Sequence, residues 1–248
     1  MGNVAAHHPQ GSFVALTKSL QGEWTFCQRV IEDSDSYFIP LREKICKFFL
    51  PSLFGSEVSE LEAKLFCRPA RYGGLGIHDP VINASTQFTA SKSATFLLSK
   101  AIYEASELDL NEHEQIYLSS LSQKKELEKN WKNDTFALID HFPEPNKRCV
   151  LRKMEFQCSG WLSVVPVEGN HFEMSPIEFR DAIALRYGRI PIDLPLSCDA
   201  DGQIFDVNHA LNCPRGGLVY GRHNELRDLN CSLLELAGMK QISIVSER

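Results

Sequence analysis

The sequence lacks the short catalytic signatures of several large enzyme classes. It has no Asp-Asp doublet of the kind that holds two Mg²⁺ ions in a polymerase, no Gly-x-Ser-x-Gly elbow and no His-Glu-x-x-His motif. It has no apolar run of the ~18 residues that a membrane span needs, and no secretory hydrophobic core follows its N-terminus. We therefore expect a protein of the cytoplasm or nucleus, not of the membrane, without a catalytic centre of these classes.

Basic residues are in the minority. The 26 Lys and Arg residues are outnumbered by 32 Asp and Glu residues, which gives a net charge of −6. Nucleic-acid-binding domains are usually basic because they displace counterions from phosphates, so this balance argues against tight, non-specific binding. The length of 248 residues and the hydrophobic share of 43% suit a globular protein of one or two domains.

The eight cysteines are scattered along the chain and do not form a dense disulfide framework. In a chain without a secretory signal, this distribution favours reduced thiols or metal ligands. Only Cys198 and Cys213 lie in a sequence context that is typical of metal ligands.

These two cysteines belong to the pattern Cys198-x₂-Asp201-x₇-His209-x₃-Cys213. His209 and Cys213 are four residues apart and would project from one face of a helix. Cys198 and Asp201 have the spacing of the first ligand pair of a zinc knuckle, and His223 is a further candidate ligand. Asp201 stands where a soft thiolate is usual, so the pattern predicts either a structural Zn²⁺ site or a weakened or empty one. In the remaining alternative, His209 and Cys213 only pack and His223 is a surface side chain.

Hydrophobic spacing predicts a mainly α protein. Helices are expected at about 37–50, 57–66, 79–106, 111–132, 148–161, 176–187 and 220–237, and the small-residue-rich helix at 79–106 is expected to be buried. The Ser175-Pro176-Ile177-Glu178 segment has the pattern of a capping box with proline in the first turn, which marks a helix start. We expect one helical region in residues 1–130, a second in 131–190, and a small irregular Cys/His module in 191–248 that ends in a helix.

A glycine cluster occurs at Tyr72-Gly-Gly-Leu-Gly76. Backbone amides in such a run could cradle a phosphate, but the Lys-Ser/Thr pair of a P-loop and a preceding strand are both missing. The favoured interpretation is a structural turn at which backbone segments pack closely.

One short basic segment and one further arginine are candidates for contact with a nucleic-acid backbone. Arg148, Arg152 and Lys153 lie near Trp161, and Arg222 follows the Cys/His pattern. Long cationic side chains more often simply cover a helix face, so the prediction is weak contact with RNA or DNA.

Several motifs resemble retrotransposon proteins. The segments 19–29, 50–55 and 68–77, which begin Ser-Leu-Gln-Gly-Glu-Trp, Leu-Pro-Ser-Leu-Phe and Arg-Pro-Ala-Arg-Tyr-Gly-Gly, resemble the part just downstream of the polymerase domain in animal retrotransposon reverse-transcriptase polyproteins. The segments His-Ala-Leu-Asn-Cys-Pro-Arg-Gly-Gly at 209–217 and Arg-His-Asn-Glu-Leu-Arg-Asp at 222–228 look like the Cys/His module that these polyproteins place before a restriction-endonuclease-like domain.

The resemblance implies a thumb-like region at 1–130, a linker region at 131–190 and a degenerate zinc-knuckle-like module at 191–248. Cys198, His209 and Cys213 match the family's metal ligands, and Asp201 replaces its usual second cysteine. The polymerase aspartates would lie before Met1 and the nuclease residues after Arg248.

The function that this implies is a non-catalytic fragment of a retrotransposon reverse-transcriptase polyprotein, with a structural Zn²⁺, weak RNA or DNA binding and other retroelement protein segments as partners. One alternative is a component of a reverse transcriptase, an RNA-directed DNA polymerase, that acts together with the missing catalytic part. Another is an adaptor that binds a protein partner through the Phe48-Phe49 helix.

Overall fold

The structure is a computed structural model that describes residues 1–155, 159–215 and 218–236. These residues are mainly helical and contain no β-strand, only one antiparallel bridge between Ser197 and Ile204. The prediction of a mainly α protein is therefore confirmed. The helices are α1 (Gly2–His7), α2 (Pro9–Ala15), α3 (Gln21–Val30), α4 (Ile39–Lys44), α5 (Leu50–Phe54), α6 (Glu60–Phe66), α7 (Ile82–Glu104), α8 (Leu110–Ile139), α9 (Glu144–Glu155), α10 (Pro176–Arg186), α11 (Val207–Asn212) and α12 (Leu218–Leu236).

The chain divides into two compact units. The first unit is Met1–Pro191, and the second begins at Ile192. The first unit contains both of the helical regions expected at 1–130 and 131–190, and α8 passes through residue 130. Residue 237, the expected end of the last helix, lies outside the described residues, as do residues 156–158 of the helix expected at 148–161.

An aromatic cluster lies at the centre of the first unit. Phe54 of α5 stacks on Phe66 of α6 with ring centroids 4.7 Å apart. The ring centroid of Tyr187, which follows α10, lies 4.5 Å from that of Phe66. Phe179 of α10 contacts Phe13 of α2, with ring centroids 6.0 Å apart. Aromatic pairs of this kind each contribute about 0.5–1.5 kcal/mol beyond the burial of their area. They join the N-terminal helices and α10 in one core.

The start of α10 follows the sequence pattern closely. The Ser175 hydroxyl accepts a hydrogen bond from the Glu178 amide (3.3 Å), and the Ser175 amide donates to the Glu178 carboxylate (2.7 Å). The hydrogen bond from the Ser175 amide also lowers the pKa of the Glu178 carboxyl. Pro176 occupies the first turn, where its missing N–H is not needed. The predicted capping box is therefore confirmed.

The long helix expected at 79–106 forms as α7, but the expectation that it is buried is wrong. Ala84 is the only buried residue of this helix, which the structure describes in full, and Phe96 is 57% exposed. Serines, threonines and lysines are spread around the helix between its apolar residues, so no wide apolar stripe faces the core.

The glycine cluster is a structural turn. The amides of Gly73, Gly74, Leu75 and Gly76 all donate to backbone carbonyls, at 2.9–3.2 Å. None of these four donors is left for a phosphate, so the phosphate-cradle alternative does not apply. A Cβ at Gly74 would lie 1.9 Å from the Arg68 carbonyl oxygen, which explains why the turn needs glycine there.

Arg186 of α10 donates hydrogen bonds to the backbone of the glycine turn. Its side chain is 3% exposed, and its Nη2 donates to the carbonyls of Ala70 (3.2 Å) and Gly74 (3.4 Å) and to the Ser159 hydroxyl (2.9 Å). No carboxylate pairs with this buried guanidinium in the described part of the chain. The Arg-Pro-Ala-Arg-Tyr-Gly-Gly segment is thus positioned by backbone hydrogen bonds and one buried arginine.

Candidate metal centre

The first two candidate ligands lie on a tight turn in the second unit. The Cys198 amide donates to the Gln203 carbonyl and the Gly202 amide donates to the Cys198 carbonyl, both at 2.8 Å. Gly202 has a φ of +73°, a conformation that glycine adopts without strain. The turn therefore brings the side chains of Cys198 and Asp201 to the same place.

The other two candidate ligands are positioned by α11. The Asp206 side chain accepts a hydrogen bond from the His209 amide (2.6 Å) and caps the helix. The Cys213 amide donates to the His209 carbonyl (2.8 Å), so the helical spacing of His209 and Cys213 is kept to the end of the helix. The sequence interpretation overlooked Asp206, although an aspartate three residues before His209 is a recognisable N-cap signal.

The four predicted side chains converge. One ligand atom from each of Cys198, Asp201, His209 and Cys213 lies within 4.8 Å of all the others. The two Sγ atoms are 3.8 Å apart, Cys213 Sγ is 3.8 Å from Asp201 Oδ2, and His209 Nε2 is 3.2 Å from Asp201 Oδ1. In a tetrahedral zinc site with bonds of about 2.0–2.3 Å, neighbouring ligand atoms are about 3.3–3.8 Å apart. The separations therefore suit a four-coordinate metal ion, and the two thiols are too far apart to be a disulfide, whose S–S bond is about 2.05 Å.

The burial of the ligand atoms also fits a metal. Cys198 and Cys213 are buried, and the His209 Nε2 atom is buried without a hydrogen-bond partner, although Asp201 Oδ1 lies close by. Burying a polar nitrogen without a partner is unfavourable. A metal ion bound to this nitrogen would remove that penalty, so the cluster could hold a metal ion.

Asp201 is prepared to act as an anionic ligand. The Gln203 amide donates to its Oδ1 atom (3.1 Å), and this hydrogen bond is the main cause of a lowered pKa of the carboxyl. The carboxylate form is therefore favoured at neutral pH.

His223, the fifth candidate ligand, is not brought to this cluster. It lies on α12 with an exposed side chain and is not one of the four converging residues. The four residues already supply the ligand number of a closed zinc site.

The nucleic-acid candidates lie on two helices. Arg148 and Arg152 are exposed on α9, Lys153 is half-buried there, and Arg222 is exposed on α12. Arg148 Nε lies 3.5 Å from the carboxylate of Glu144 in the same helix. Trp161, which the sequence places near the α9 residues, is partly buried and packs against the core. It does not offer an open ring for base stacking.

The residues proposed for an adaptor surface differ in exposure. Phe49 is buried, whereas Phe48 is 55% exposed and carries the Lys44 ammonium 4.3 Å from its ring centroid. Phe48 and Trp24 are among the residues that line an apolar groove in the first unit.

Comparison of the chain with family models, curated proteins and solved structures gives no match. Among the described residues, no helix has both the length and the apolar character that crossing a bilayer requires. The functional argument therefore rests on the geometry of the site.

Proposed function

We propose that the second unit is a structural Zn²⁺ module, held by Cys198, Asp201, His209 and Cys213, within a non-catalytic protein related to retrotransposon reverse-transcriptase polyproteins. The single observation that carries the metal part is the convergence of these four ligand atoms, one of which is the buried His209 Nε2 atom without a hydrogen-bond partner. The motif resemblance described above supports the retroelement part.

The composition of the ligand set favours zinc. Two thiolates and one imidazole select Zn²⁺ over Mg²⁺ or Ca²⁺, which prefer oxygen ligands. Aspartate is also within the normal range of zinc ligands. Four protein ligands leave no open position for water or substrate, which is the arrangement of structural sites and not of catalytic ones.

The second unit has little else to stabilise it. Cys198 and Cys213 are its only buried residues among 192–236 for which burial is described, while Leu196 is 91% and Ile204 is 83% exposed. A segment of this size without a hydrophobic core is not stable by itself, and metal ligation is one of the usual ways to stabilise it. The candidate ligands thus take the place of a core.

The alternative to the non-catalytic part of the proposal is a polymerase or nuclease centre. In the described ranges, the Cys/His/Asp cluster is the only group of three or more such residues that could share a metal ion. A polymerase or nuclease centre needs converging carboxylates to hold Mg²⁺. Primer extension with Mg²⁺ tests the alternative of an active reverse transcriptase, and incorporation above a protein-free control would contradict the proposal.

Weak nucleic-acid contact is the remaining part of the proposal, and the exposed Arg148, Arg152 and Arg222 support it. Gel shifts with RNA and DNA over a salt series test it, because binding through phosphates must weaken as salt rises. We expect binding only at low salt, further reduced by Arg222→Gln. Equal binding by the variant would show that Arg222 does not contribute to nucleic-acid binding.

Limited proteolysis with and without a chelator tests the structural role of the metal. We expect the full chain to resist cleavage between residues 192 and 236 when zinc is bound and to be cut there after chelation. Cys213→Ser should be cut in both conditions, because loss of a structural zinc site removes on the order of 10 kcal/mol of binding free energy. Cys231→Ser is the matched control, since Cys231 is in the same unit but outside the cluster. Cleavage that does not respond to the chelator would contradict the proposal.

A further inference from the structure

A cavity of about 300 Å³ in the first unit has an unusual charge distribution. Arg42, Lys64 and Arg68 line it, and Asp79 is the one acidic residue among the described residues of the lining. Its volume is at the lower end of the range found for small-molecule sites. In a chain with a net charge of −6, a wall with three cations and one anion points to an anionic ligand.

The single carboxylate is already fully used by its neighbours. Asp79 Oδ2 lies 3.1 Å from Arg42 Nε, and Asp79 Oδ1 accepts hydrogen bonds from the amides of Val81 (2.9 Å) and Ile82 (3.1 Å). Arg42 and Asp79 therefore neutralise each other. Lys64 and Arg68 form no ion pair with any described residue, so within the described part of the chain these two positive charges are uncompensated.

The backbone of Arg68 is fixed by two hydrogen bonds. Its amide donates to the Leu65 carbonyl and its carbonyl accepts from the Gly76 amide, both at 2.9 Å. Its Nε atom is buried and has no hydrogen-bond partner. Because this Nε atom is closed to solvent, an anion in the cavity would be attracted by the charge of the guanidinium and not by the Nε atom itself.

The rest of the lining is mixed and includes an aromatic ring. Trp131 of α8, Ile82 and Pro69 are apolar, whereas His78 and Asn83 are polar. A flat ring of a ligand would pack favourably against the indole. The cavity thus combines a site for about two negative charges with a surface for a ring.

We propose that this cavity binds a small phosphate monoester that carries an aromatic ring, with the phosphate between Lys64 and Arg68 and the ring beside Trp131. A phosphate monoester carries about −1.5 to −2 charges at neutral pH and has three acceptor oxygens, which match the two free cations. A polyanion is a poorer match, because the acidic chain as a whole repels it while the cavity holds only a small group.

Isothermal titration of the full chain with phenyl phosphate tests this site, with inorganic phosphate and phenol as the two halves of the probe. We expect phenyl phosphate to bind with 1:1 stoichiometry, inorganic phosphate to bind more weakly and phenol not to bind. AMP in a parallel titration distinguishes a nucleotide from a smaller aryl ester, and binding of either supports the site. Failure of both esters to bind would overturn the proposal.

Three substitutions assign the binding to the cavity. Arg68→Gln and Lys64→Gln should each weaken phenyl phosphate binding by at least about tenfold, since each removes a charge-assisted hydrogen bond. Lys18→Gln is the control, because Lys18 is exposed on the π-helical turn between α2 and α3, outside the cavity lining, and should bind as the unsubstituted chain does. Because Lys64 is exposed, we expect Lys64→Gln to keep the fold even if Arg68→Gln does not. Thermal melting of both variants checks this expectation. Unchanged affinity in folded Lys64→Gln would overturn the assignment.

Discussion

Replacing Gly74 by alanine tests the structural role of the glycine turn. The new Cβ would lie 1.9 Å from the Arg68 carbonyl oxygen and 2.7 Å from the Leu65 carbonyl oxygen. An ordinary contact begins near 3.4 Å, so the first distance is about 1.5 Å too short. Both oxygens belong to the backbone at the end of α6 and cannot turn away as a side chain would. The turn must therefore move as a whole.

The cost of this movement can be worked out from the bonds that it breaks. Separating the turn from α6 disrupts the hydrogen bonds from Leu75 to Phe66 and from Gly76 to Arg68, each contributing about 1 kcal/mol. Overpacking a dense region adds about 1–3 kcal/mol. We therefore expect Gly74→Ala to lower the free energy of unfolding by about 3 kcal/mol or more, which is about 6–12 °C in Tm for a chain of this size.

Thermal and urea unfolding followed by circular dichroism will measure this effect. Gly22→Ala is the matched control, because Gly22 lies within α3 and its Cβ would meet nothing within 4 Å. That substitution should stabilise the protein by about 0.5–1 kcal/mol, since alanine has the higher helix propensity. If Gly74→Ala is as stable as Gly22→Ala, the close approach of the two backbone segments is not as described.

Three further predictions concern single side chains. Asp201→Cys should raise the affinity for zinc by at least about tenfold in competition with a chelator, because a thiolate is a softer ligand. A lower affinity would mean that sulfur cannot replace the Asp201 carboxylate in this geometry. A hydrogen bond from Cys67, assisted by the Arg42 charge, lowers the pKa of Cys46 to about 7. The rate at which iodoacetamide alkylates Cys46 should therefore rise as the pH passes through 7, and this rise should move to higher pH in Cys67→Ala. A midpoint near 9 in the unsubstituted chain would contradict this prediction. Arg186→Met should lower the free energy of urea unfolding by about 3 kcal/mol, because it removes three hydrogen bonds and leaves the buried Gly74 carbonyl without its donor. A loss below about 1 kcal/mol would show that these bonds matter little.

Local patterns in the sequence predicted the parts of the structure that depend on neighbouring residues. The capping box at Ser175 and Glu178 involves residues three apart, and its geometry follows from backbone rules. The candidate ligands lie on a tight turn and a short capped helix, two local elements separated by only a few residues. The spacing of Cys198, His209 and Cys213 was therefore informative about the site.

Features that depend on distant residues could not be predicted in this way. The cavity combines Arg42, Lys64 and Trp131 from three separate helices or turns, and no spacing in the sequence connects them. The exposure of α7 was also missed, because small residues are compatible both with tight packing and with an open surface. Arg186 is a third case: its buried contacts with the glycine turn join residues more than 110 positions apart.

The central claim is that one zinc ion is bound by the four converging side chains. Native mass spectrometry of the full chain with excess zinc at neutral pH tests it directly. We predict one Zn²⁺ per chain, with displacement of the two thiol protons of Cys198 and Cys213, in both the unsubstituted protein and Cys231→Ser, and none in Cys213→Ser. A chain that stays free of metal under these conditions, or that binds zinc equally well after Cys213→Ser, would contradict the claim.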